Sequence, residues 1–226
     1  MKKLQTLIAA FLLSIFSATS AMSEYAVGVT GAYALLDASG TETEGGEQTS
    51  TDIDHNFGLA SIFAEYTMGS ITMGLDYIPF AADVSEDVKS RTDVETSVTG
   101  TNTQTSNSRD FKANAEVENF NKVYLELPIM NNIFVRAGIA VIDVNTTETK
   151  SGNGGSYGNA TLDGEVMGIG IKGDIGDNMG YKLFYEQTDF DTLKLTSSGN
   201  SVASETNSLT ADLDVSELKF AISYKF

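Results

Sequence analysis

The carboxy-terminal stretch from Leu209 to Phe226 constrains the fold most strongly, because apolar and polar side chains alternate along its last ten residues. One row is apolar and ends on the last residue of the chain: Leu218, Phe220, Ile222, Tyr224 and Phe226. The row between these residues holds Glu217, Lys219, Ala221, Ser223 and Lys225. A period of two is the signature of a β-strand with one apolar and one polar face. We therefore predict a long amphipathic closing strand.

Residues 1–22 have the form of a secretory signal peptide. Two lysines precede an apolar run from Leu4 to Phe16, and small residues follow it. Cleavage near Ala21 or Ser23 fits this pattern, and the remaining chain, 23–226, is long enough for one domain. A membrane anchor is disfavoured because the apolar run is shorter than the ~20 residues that a spanning helix needs. We expect an exported chain, which can enter a membrane only as a closed barrel.

The charge of the chain limits its partners. It has 14 basic and 31 acidic residues, a formal net charge of −17, and no cysteine. Nucleic acid is excluded as a partner because phosphate contacts need clustered Lys and Arg side chains. A closed, hydrogen-bonded barrel also needs no disulfide, although an exported chain passes through an oxidising compartment.

Seven further stretches alternate as the closing stretch does, so we predict eight strands. They begin near Tyr25, Phe57, Ile71, Glu116, Ile133, Leu162 and Tyr181. Short turns follow the second, fourth and sixth strands, and long polar loops follow the first, third, fifth and seventh. These loops are Asp37–Asn56, Ala81–Ala113, Asn145–Ala160 and Thr192–Ser208. We expect Ala81–Ala113 to be a mobile, protease-sensitive loop; the alternative is a further membrane hairpin, which would give ten strands.

Short turns on one side, long loops on the other and a terminal aromatic-x-aromatic pair resemble the small bacterial outer-membrane β-barrel family, which includes the outer-membrane protein A, X and W types. The resemblance implies an all-β, eight-stranded, antiparallel up-and-down barrel in the outer membrane of a Gram-negative bacterium. In that family the assembly machinery reads the terminal aromatic strand, which assigns an assembly signal to Tyr224 and Phe226. Outer-membrane lipids and this machinery are then the expected partners, and we expect a monomer.

The cost of exposing charge to lipid decides which faces point inward. A Lys or Arg facing lipid at mid-depth costs roughly 2–4 kcal/mol, so the basic residues of the strands must face the interior. On the fourth strand this parity predicts that Val117, Asn119, Asn121 and Val123 face outward. We predict one interior ion-pair network of five acids and five bases, with most of the excess acidic charge in the loops. Its members are Glu65, Asp76, Lys122, Glu126, Arg136, Lys172, Lys182, Glu186, Glu217 and Lys219.

Two function classes follow from this interior. An eight-stranded barrel is just wide enough for side chains to fill it, so the first hypothesis is a closed barrel with a structural or surface-interaction role. The second is a small channel or transporter for small apolar solutes, as the W-type resemblance implies. That type needs an apolar pocket that opens sideways. The candidate lining residues are Phe57, Leu59, Phe63, Phe80, Phe120 and Phe134.

We expect no enzymatic activity and no cofactor. His55 is the only histidine, and with Asp52 and Asp54 it forms only a weak metal or base motif. No serine motif accompanies it, and the chain lacks a spaced calcium-loop pattern. The acidic loops could still gather divalent cations; the alternative is a solvated, repulsive surface.

Overall fold

A computed structural model describes residues 23–44, 47–84, 89–99, 103–150, 156–197 and 207–226. The predicted signal peptide lies outside these residues. No helix in the described ranges is both long and apolar enough to cross a lipid bilayer. The strands are β1 (Ser23–Glu44), β2 (Glu47–Met68), β3 (Ile71–Ile78), β4 (Ala82–Asp83), β5 (Lys89–Thr99), β6 (Thr103–Met130), β7 (Ile133–Lys150), β8 (Ala160–Ile175), β9 (Met179–Phe190), β10 (Leu193–Thr196) and β11 (Ser208–Lys225).

Eight of these strands close into an antiparallel ring. Their order is β1, β2, β3, β6, β7, β8, β9 and β11, and β11 pairs back onto β1. The closing register runs from Ala26 opposite Lys225 to Thr43 opposite Ser208. Each of these eight strands pairs with the next one of the eight along the chain, and β4, β5 and β10 are not part of the ring. The predicted fold class, an eight-stranded antiparallel meander barrel, is therefore confirmed.

The short turns lie where the sequence predicts them. Gly69, with φ +62°, follows β2, and Gly176, with φ +68°, follows β8. Glycine tolerates this left-handed backbone without a steric penalty. Asn131 takes a positive φ of 24° in the turn between β6 and β7, as asparagine does more readily than most residues. These three turns therefore fix one end of the barrel.

The long connections are shorter than predicted, because the strands continue into them. Residues predicted as the loop Asp37–Asn56 instead extend β1 and β2, which pair as far as Glu44 opposite Glu47. The polar stretch Asn145–Ala160 contains the end of β7, and Thr192–Ser208 contains β10. Backbone pairing does not require apolar side chains outside a membrane, so a polar sequence can still form a strand there.

The stretch Ala81–Ala113 also departs from the prediction. It contains β4 and β5, and both pair with β6. Because β5 has no other partner in the described ranges, it forms a hairpin outside the ring and adds no strand to the wall. The choice between eight and ten strands is settled at eight. Protease sensitivity of this stretch stays a prediction.

A β-bulge on β6 reverses the predicted parity above it. The register shifts between Glu118 and Asn121, where Asn119 has φ 53°. A bulge inserts one residue into one strand, so side chains beyond it change face. Val117 was predicted to face outward; instead it packs against the interior apolar cluster. The parity below the bulge is as predicted, with Lys122, Tyr124 and Glu126 buried.

The barrel has two halves with opposite polarity. We call the half nearer the short turns the lower barrel. Its outward side chains are apolar and exposed, and the last of them are Leu35 on β1 and Leu218 on β11. In the upper barrel, beyond these residues, outward side chains are mostly polar and inward ones mostly apolar. The candidate site spans the boundary between the two halves.

Candidate functional site

The interior of the lower barrel is closed by side chains. All ten residues proposed for the interior ion-pair network face inward, and nine of them are buried. Lys172 is the partly exposed member, with a side chain that is 30% exposed. The ion pairs join the ten residues into one connected network, because Arg136 contacts both Glu126 and Glu186, and every other member is joined to one of these two glutamates directly or through a lysine.

Two glutamates lie at the centre of the network. Glu186 accepts from Lys122 Nζ at 2.6 Å and from Arg136 Nη1 at 2.8 Å. Glu126 accepts from Arg136 Nη2 at 2.7 Å and from Lys182 Nζ at 2.8 Å. Charge-assisted hydrogen bonds of this length are the strong class, and together they join three strands, β6, β7 and β9, across the interior. Without these partners the buried charges would each cost several kcal/mol.

The outer members complete the network. Lys219 donates to Asp76 at 2.9 Å, and Lys172 reaches Glu126 at 3.4 Å. Lys182 also contacts Glu65, and Lys122 contacts Glu217. Glu186 and Glu217 stand directly opposite each other on neighbouring strands. Lys122 bridges these two carboxylates, which offsets their repulsion.

Aromatic rings fill the space around the cations. The Arg136 guanidinium lies 3.7 Å from the centroid of the Tyr124 ring and 4.2 Å from that of Phe184. Phe63, Phe134, Phe184 and Ala221 form a small buried cluster in the same half. Phe63 and Phe134 were predicted to line an apolar pocket; they belong instead to this lower cluster. These rings fill part of the lower interior, and an open cavity of about 200 Å³ at its lower end reaches Glu65, Lys172 and Lys182.

The upper barrel encloses an apolar region, which we call the apolar chamber. Twelve side chains that border its central cavity are apolar: Leu36, Phe57, Leu59, Ile78, Phe80, Ala82, Val117, Phe120, Ile142, Phe190, Leu213 and Val215. The cavity itself has a volume of about 20 Å³, so the chamber is packed. Phe57, Leu59, Phe80 and Phe120 were predicted as lining residues, and the other eight were missed.

The missed residues carry a signal in the sequence. On β11, apolar residues occupy even positions from Leu218 to Phe226 but odd positions at Leu213 and Val215. The strand keeps its inward parity, so this change moves the apolar row from the outside to the inside. A reversal of alternation without a turn therefore marks the point where a barrel leaves the membrane.

The wall beside the chamber is interrupted. β3 ends at Ile78, and its pairing with β2 ends at Ile62 opposite Tyr77. Above this point β2 pairs only with β1 in the described ranges. Pro79 follows Ile78, and because proline has no N–H it cannot continue the ladder. The free edge of β2 therefore faces a gap.

The gap forms an open cleft of about 640 Å³ on the side of the barrel. Phe57, Leu59, Phe80, Ala82 and Asp83 border both this cleft and the chamber cavity. Phe80 is 60% exposed, so its ring lies over the opening without being held by a packed core. The cleft therefore adjoins the apolar chamber, from which these shared side chains separate it.

His55 lies at the rim of this cleft. Its ring stacks on Phe57 at a centroid distance of 5.4 Å. No group of three or more His, Cys, Asp or Glu side chains in the described ranges is arranged to hold a metal ion. The expectation that acidic loops gather divalent cations stays a prediction, since parts of those loops lie outside the described residues.

Acidic side chains form a row around the outside of the upper barrel, which we call the acidic row. Neighbouring strands place its five members side by side: Asp54, Asp37, Asp214, Asp189 and Glu165. Partial burial raises the pKa of Asp214, and the charges of Asp189 and Asp37 raise it further. Part of the acidic excess thus lies on strands, although the sequence predicted it for loops.

The proposed assembly residues lie at the end of the closing strand. The Phe226 N–H donates to the carbonyl oxygen of Tyr25 at 2.9 Å. The rings of Tyr224 and Phe226 meet edge to face at 5.1 Å, and both are exposed on the outward side. Their role as an assembly signal stays a prediction.

No protein-family model and no curated protein matches the sequence. Among solved structures, the outer membrane protein OprG from Pseudomonas aeruginosa is similar with a TM-score of 0.49 and 11% identity, over 91% of this chain and 96% of that one. The outer membrane protease OmpT from Escherichia coli gives 0.45 and 7%, over 93% and 99%. The attachment invasion locus protein Ail of Yersinia pestis gives 0.42 and 11%, over 91% and 99%. At these identities and TM-scores the likeness assigns no activity, and the ring of eight strands itself gives the chain the architecture of a small outer-membrane β-barrel.

Proposed function

We propose that this protein is a non-catalytic, monomeric barrel of a Gram-negative outer membrane that admits small apolar solutes sideways. Solutes would pass between the apolar chamber and the outside of the wall through the cleft beside β2. The observation that carries this proposal is the interruption of the wall at Ile78, directly beside an apolar interior. The lower barrel supports the membrane location, because its outward residues are apolar and exposed.

A passage through the whole barrel is disfavoured. The network fills the lower axis with buried ion pairs, and the chamber above it holds a cavity of only about 20 Å³. Opening this axis to ions would require breaking several charge-assisted bonds at once. The cleft offers a route that leaves the network intact.

The route suits apolar solutes because its walls are apolar. Burying apolar surface contributes roughly 25 cal/mol per Å², so a small hydrocarbon gains free energy on leaving water for the chamber. The present cavity is too small for it, and side chains must move to make space. Phe80 is the best placed to move, because its ring is largely exposed at the mouth of the cleft.

A blocking substitution tests the route. Ala82→Trp places a large ring in the cleft and should reduce uptake of a small aromatic hydrocarbon by intact cells to the level of cells without the protein. Ala137→Trp is the matched control, because Ala137 is exposed on the outward face of β7, away from the cleft. Uptake that is equal in both variants and in the unchanged protein contradicts the proposed route.

The same variants test the closed axis. Purified protein in a planar bilayer should show no ion conductance above the lipid background. A steady conductance that Ala82→Trp leaves unchanged would indicate a wet passage through the network, and the proposal would then be wrong.

A surface-interaction role is the second candidate, and the lengths of the strands favour it. β6 has 28 residues, whereas a strand crosses a bilayer with about 9–11. Together with β1 and β2, of 22 residues each, it extends the wall far beyond the apolar band. If Ala82→Trp leaves uptake unchanged and conductance is absent, presentation of this extended surface is the function that remains.

Location in the outer membrane has its own test. Deleting Phe226 removes the end of the outward aromatic row and its backbone bond to Tyr25. We expect the folded outer-membrane fraction to fall severalfold, measured as the heat-modifiable band on a cold SDS gel. Lys225→Arg serves as a control for expression. Normal folding and yield without Phe226 would count against the assembly signal.

A further inference from the structure

The cleft beside β2 has the size and the lining of a site for a small molecule. Its volume of about 640 Å³ lies within the range of about 300–1,000 Å³ that is usual for such sites. Phe57, Leu59 and Phe80 give it apolar walls. Ligand sites are mostly apolar and carry a few polar groups that fix the orientation of the ligand. The charged groups at this cleft therefore indicate which solutes it prefers.

Asp83 is the one acidic residue among the described residues that line the cleft, and no Lys or Arg is among them. Its Oδ1 accepts from Asn114 Nδ2 at 2.9 Å, and within the described ranges it makes no ion pair. Glu116 stands directly opposite Asp83 on β6, and it too lacks a basic partner in this part of the chain. Like charges directly opposite each other destabilise a sheet, so a cation at this pair is favourable.

An aromatic ring beside Asp83 adds a second attraction for a cation. Phe80 borders the same cleft as Asp83 and is 60% exposed, so a solute can reach its ring. The negative face of such a ring attracts an ammonium group. The formal net charge of −17 also produces a negative field that concentrates cations at the surface.

The cation that fits this cleft is organic. The described residues contain no group of three or more His, Cys, Asp or Glu side chains arranged to hold a metal ion, whereas a calcium ion takes 6–8 oxygen ligands. An ammonium group on an apolar body needs fewer charged partners, because burial of the body against the apolar walls supplies further binding free energy.

We propose, on the basis of the proposed function, that the cleft selects apolar solutes that carry one ammonium group. The ammonium group donates to the Asp83 carboxylate and lies beside the ring of Phe80, and the apolar body packs against Phe57 and Leu59. A neutral analogue of the same shape forgoes both attractions. A carboxylate analogue is repelled by Asp83 and Glu116.

Binding can be measured on the folded protein in lipid nanodiscs with labelled Ala and Leu methyl groups. Shifts at Ala82 and Leu59, which both border the cleft, report on titration with benzylammonium, benzyl alcohol or benzoate. Nanodiscs without the protein correct for partition into lipid. We expect benzylammonium to bind about 10-fold more tightly than benzyl alcohol, and benzoate to give no shift. Added salt should reduce the preference for benzylammonium, because it screens exposed charges.

Three substitutions locate the interaction. Asp83→Asn should lower the preference for benzylammonium over benzyl alcohol about 5-fold and leave the affinity for benzyl alcohol unchanged. Asp189→Asn is the matched control, because it removes the same charge from β9, three strands from β2 and three from β6 around the ring, and it should leave the preference unchanged. Phe80→Leu removes the ring but keeps an apolar side chain, and it should lower the preference about 2-fold. It replaces Asp83→Asn if that variant gives no heat-modifiable band.

The outcomes separate this site from the proposed route. Equal affinities for benzylammonium and benzyl alcohol overturn the site, as does a preference that Phe80→Leu leaves unchanged or that Asp83→Asn and Asp189→Asn lower equally. The absence of shifts at Ala82 and Leu59 with all three probes also overturns it. In each case the route still stands if Ala82→Trp blocks hydrocarbon uptake. A preference that depends on Asp83, together with unchanged uptake in Ala82→Trp, means instead that the cleft binds cations but admits no solute, and the proposed function alone fails.

Discussion

The lower and upper barrel are built from the same strands with the same inward parity, yet their polarity is opposite. On β11, the lower barrel exposes Leu218 and buries Glu217, whereas the upper barrel exposes Asp214 and buries Val215. β9 repeats the change, with exposed Tyr185 below and buried Phe190 above. The medium outside the wall accounts for the difference. Lipid favours apolar outward side chains, and water favours polar ones.

The two halves must therefore be stabilised differently. In the lower barrel, apolar surface gains little by leaving lipid for the interior, so the core can be polar if every charge is paired. In the upper barrel, water surrounds the wall and burial of apolar side chains supplies stability, as in a soluble protein. The same chain thus changes its source of stability over one or two residues. Single substitutions in each half can test this.

The largest effect is expected for Arg136→Ala in the lower barrel. Arg136 bonds to both central glutamates, and its loss leaves buried carboxylates without a partner. We expect a loss of about 3–5 kcal/mol in the free energy of unfolding if the network is dry. Urea unfolding of the protein in lipid vesicles measures it.

Lys225→Ala provides the comparison, because Lys225 pairs with Asp174 and Glu24 at the exposed lower rim. Its loss should cost less than about 1 kcal/mol. If Arg136→Ala costs no more than this control and raises ion conductance, water fills the interior and the contrast between the halves is wrong.

The next effect distinguishes the outward faces. Val29 is 60% exposed on β1 and pairs with Ile62 and Ile222, near the middle of the apolar band. Val29→Lys should lower the free energy of unfolding by about 2–4 kcal/mol, because it places a charge in lipid.

Ser39→Lys is the matched change on the same strand and face, in the upper barrel. Ser39 pairs with Asp52 and Asp212, so a lysine there meets water and opposite charge. Its effect should stay within about 0.5 kcal/mol. Similar losses for the two lysines, by urea unfolding in vesicles, would show that the lipid boundary lies elsewhere.

The closed fold was predictable because membrane strands carry a strong local signal. The cost of exposing Lys219 or Arg136 to lipid fixes parity from the sequence alone. The ends of the strands were not predictable in the same way, because β1 and β2 continue where the apolar outward row stops. The sequence predicts a loop from Asp37 onward because the sign of the alternation between apolar and polar residues reverses there. Val117 was misassigned for another reason: a bulge depends on pairing across strands, which a single sequence does not display.

The candidate site, too, was predictable from the sequence only in part. Parity alone placed Lys122, Glu126 and Glu186 on inward faces. Which lysine meets which glutamate depends on the stagger between strands, so the pairings needed the structure. The cleft needed it too, because it arises from the different lengths of β2 and β3. Pro79 was its one sequence signal, since it ends the β3 ladder.

The smallest effect concerns the acidic row, where repulsion in the upper barrel should be measurable as a pH dependence. Burial and the neighbouring acids raise the pKa of Asp214 above that of the unfolded chain, so the folded state holds its proton more tightly. This contribution favours folding at low pH and is lost as pH rises through the raised pKa.

Asp214→Asn should therefore stabilise the barrel at pH 7 by less than about 1 kcal/mol, and the gain should vanish near pH 3. The measurement is the difference in urea midpoint between variant and unchanged protein across this range, with Asp177→Asn in the lower turn as control. Added salt should shrink the gain, because screening weakens exposed charges. A gain in stability that is independent of pH and salt would mean that the carboxylates of the acidic row do not repel one another.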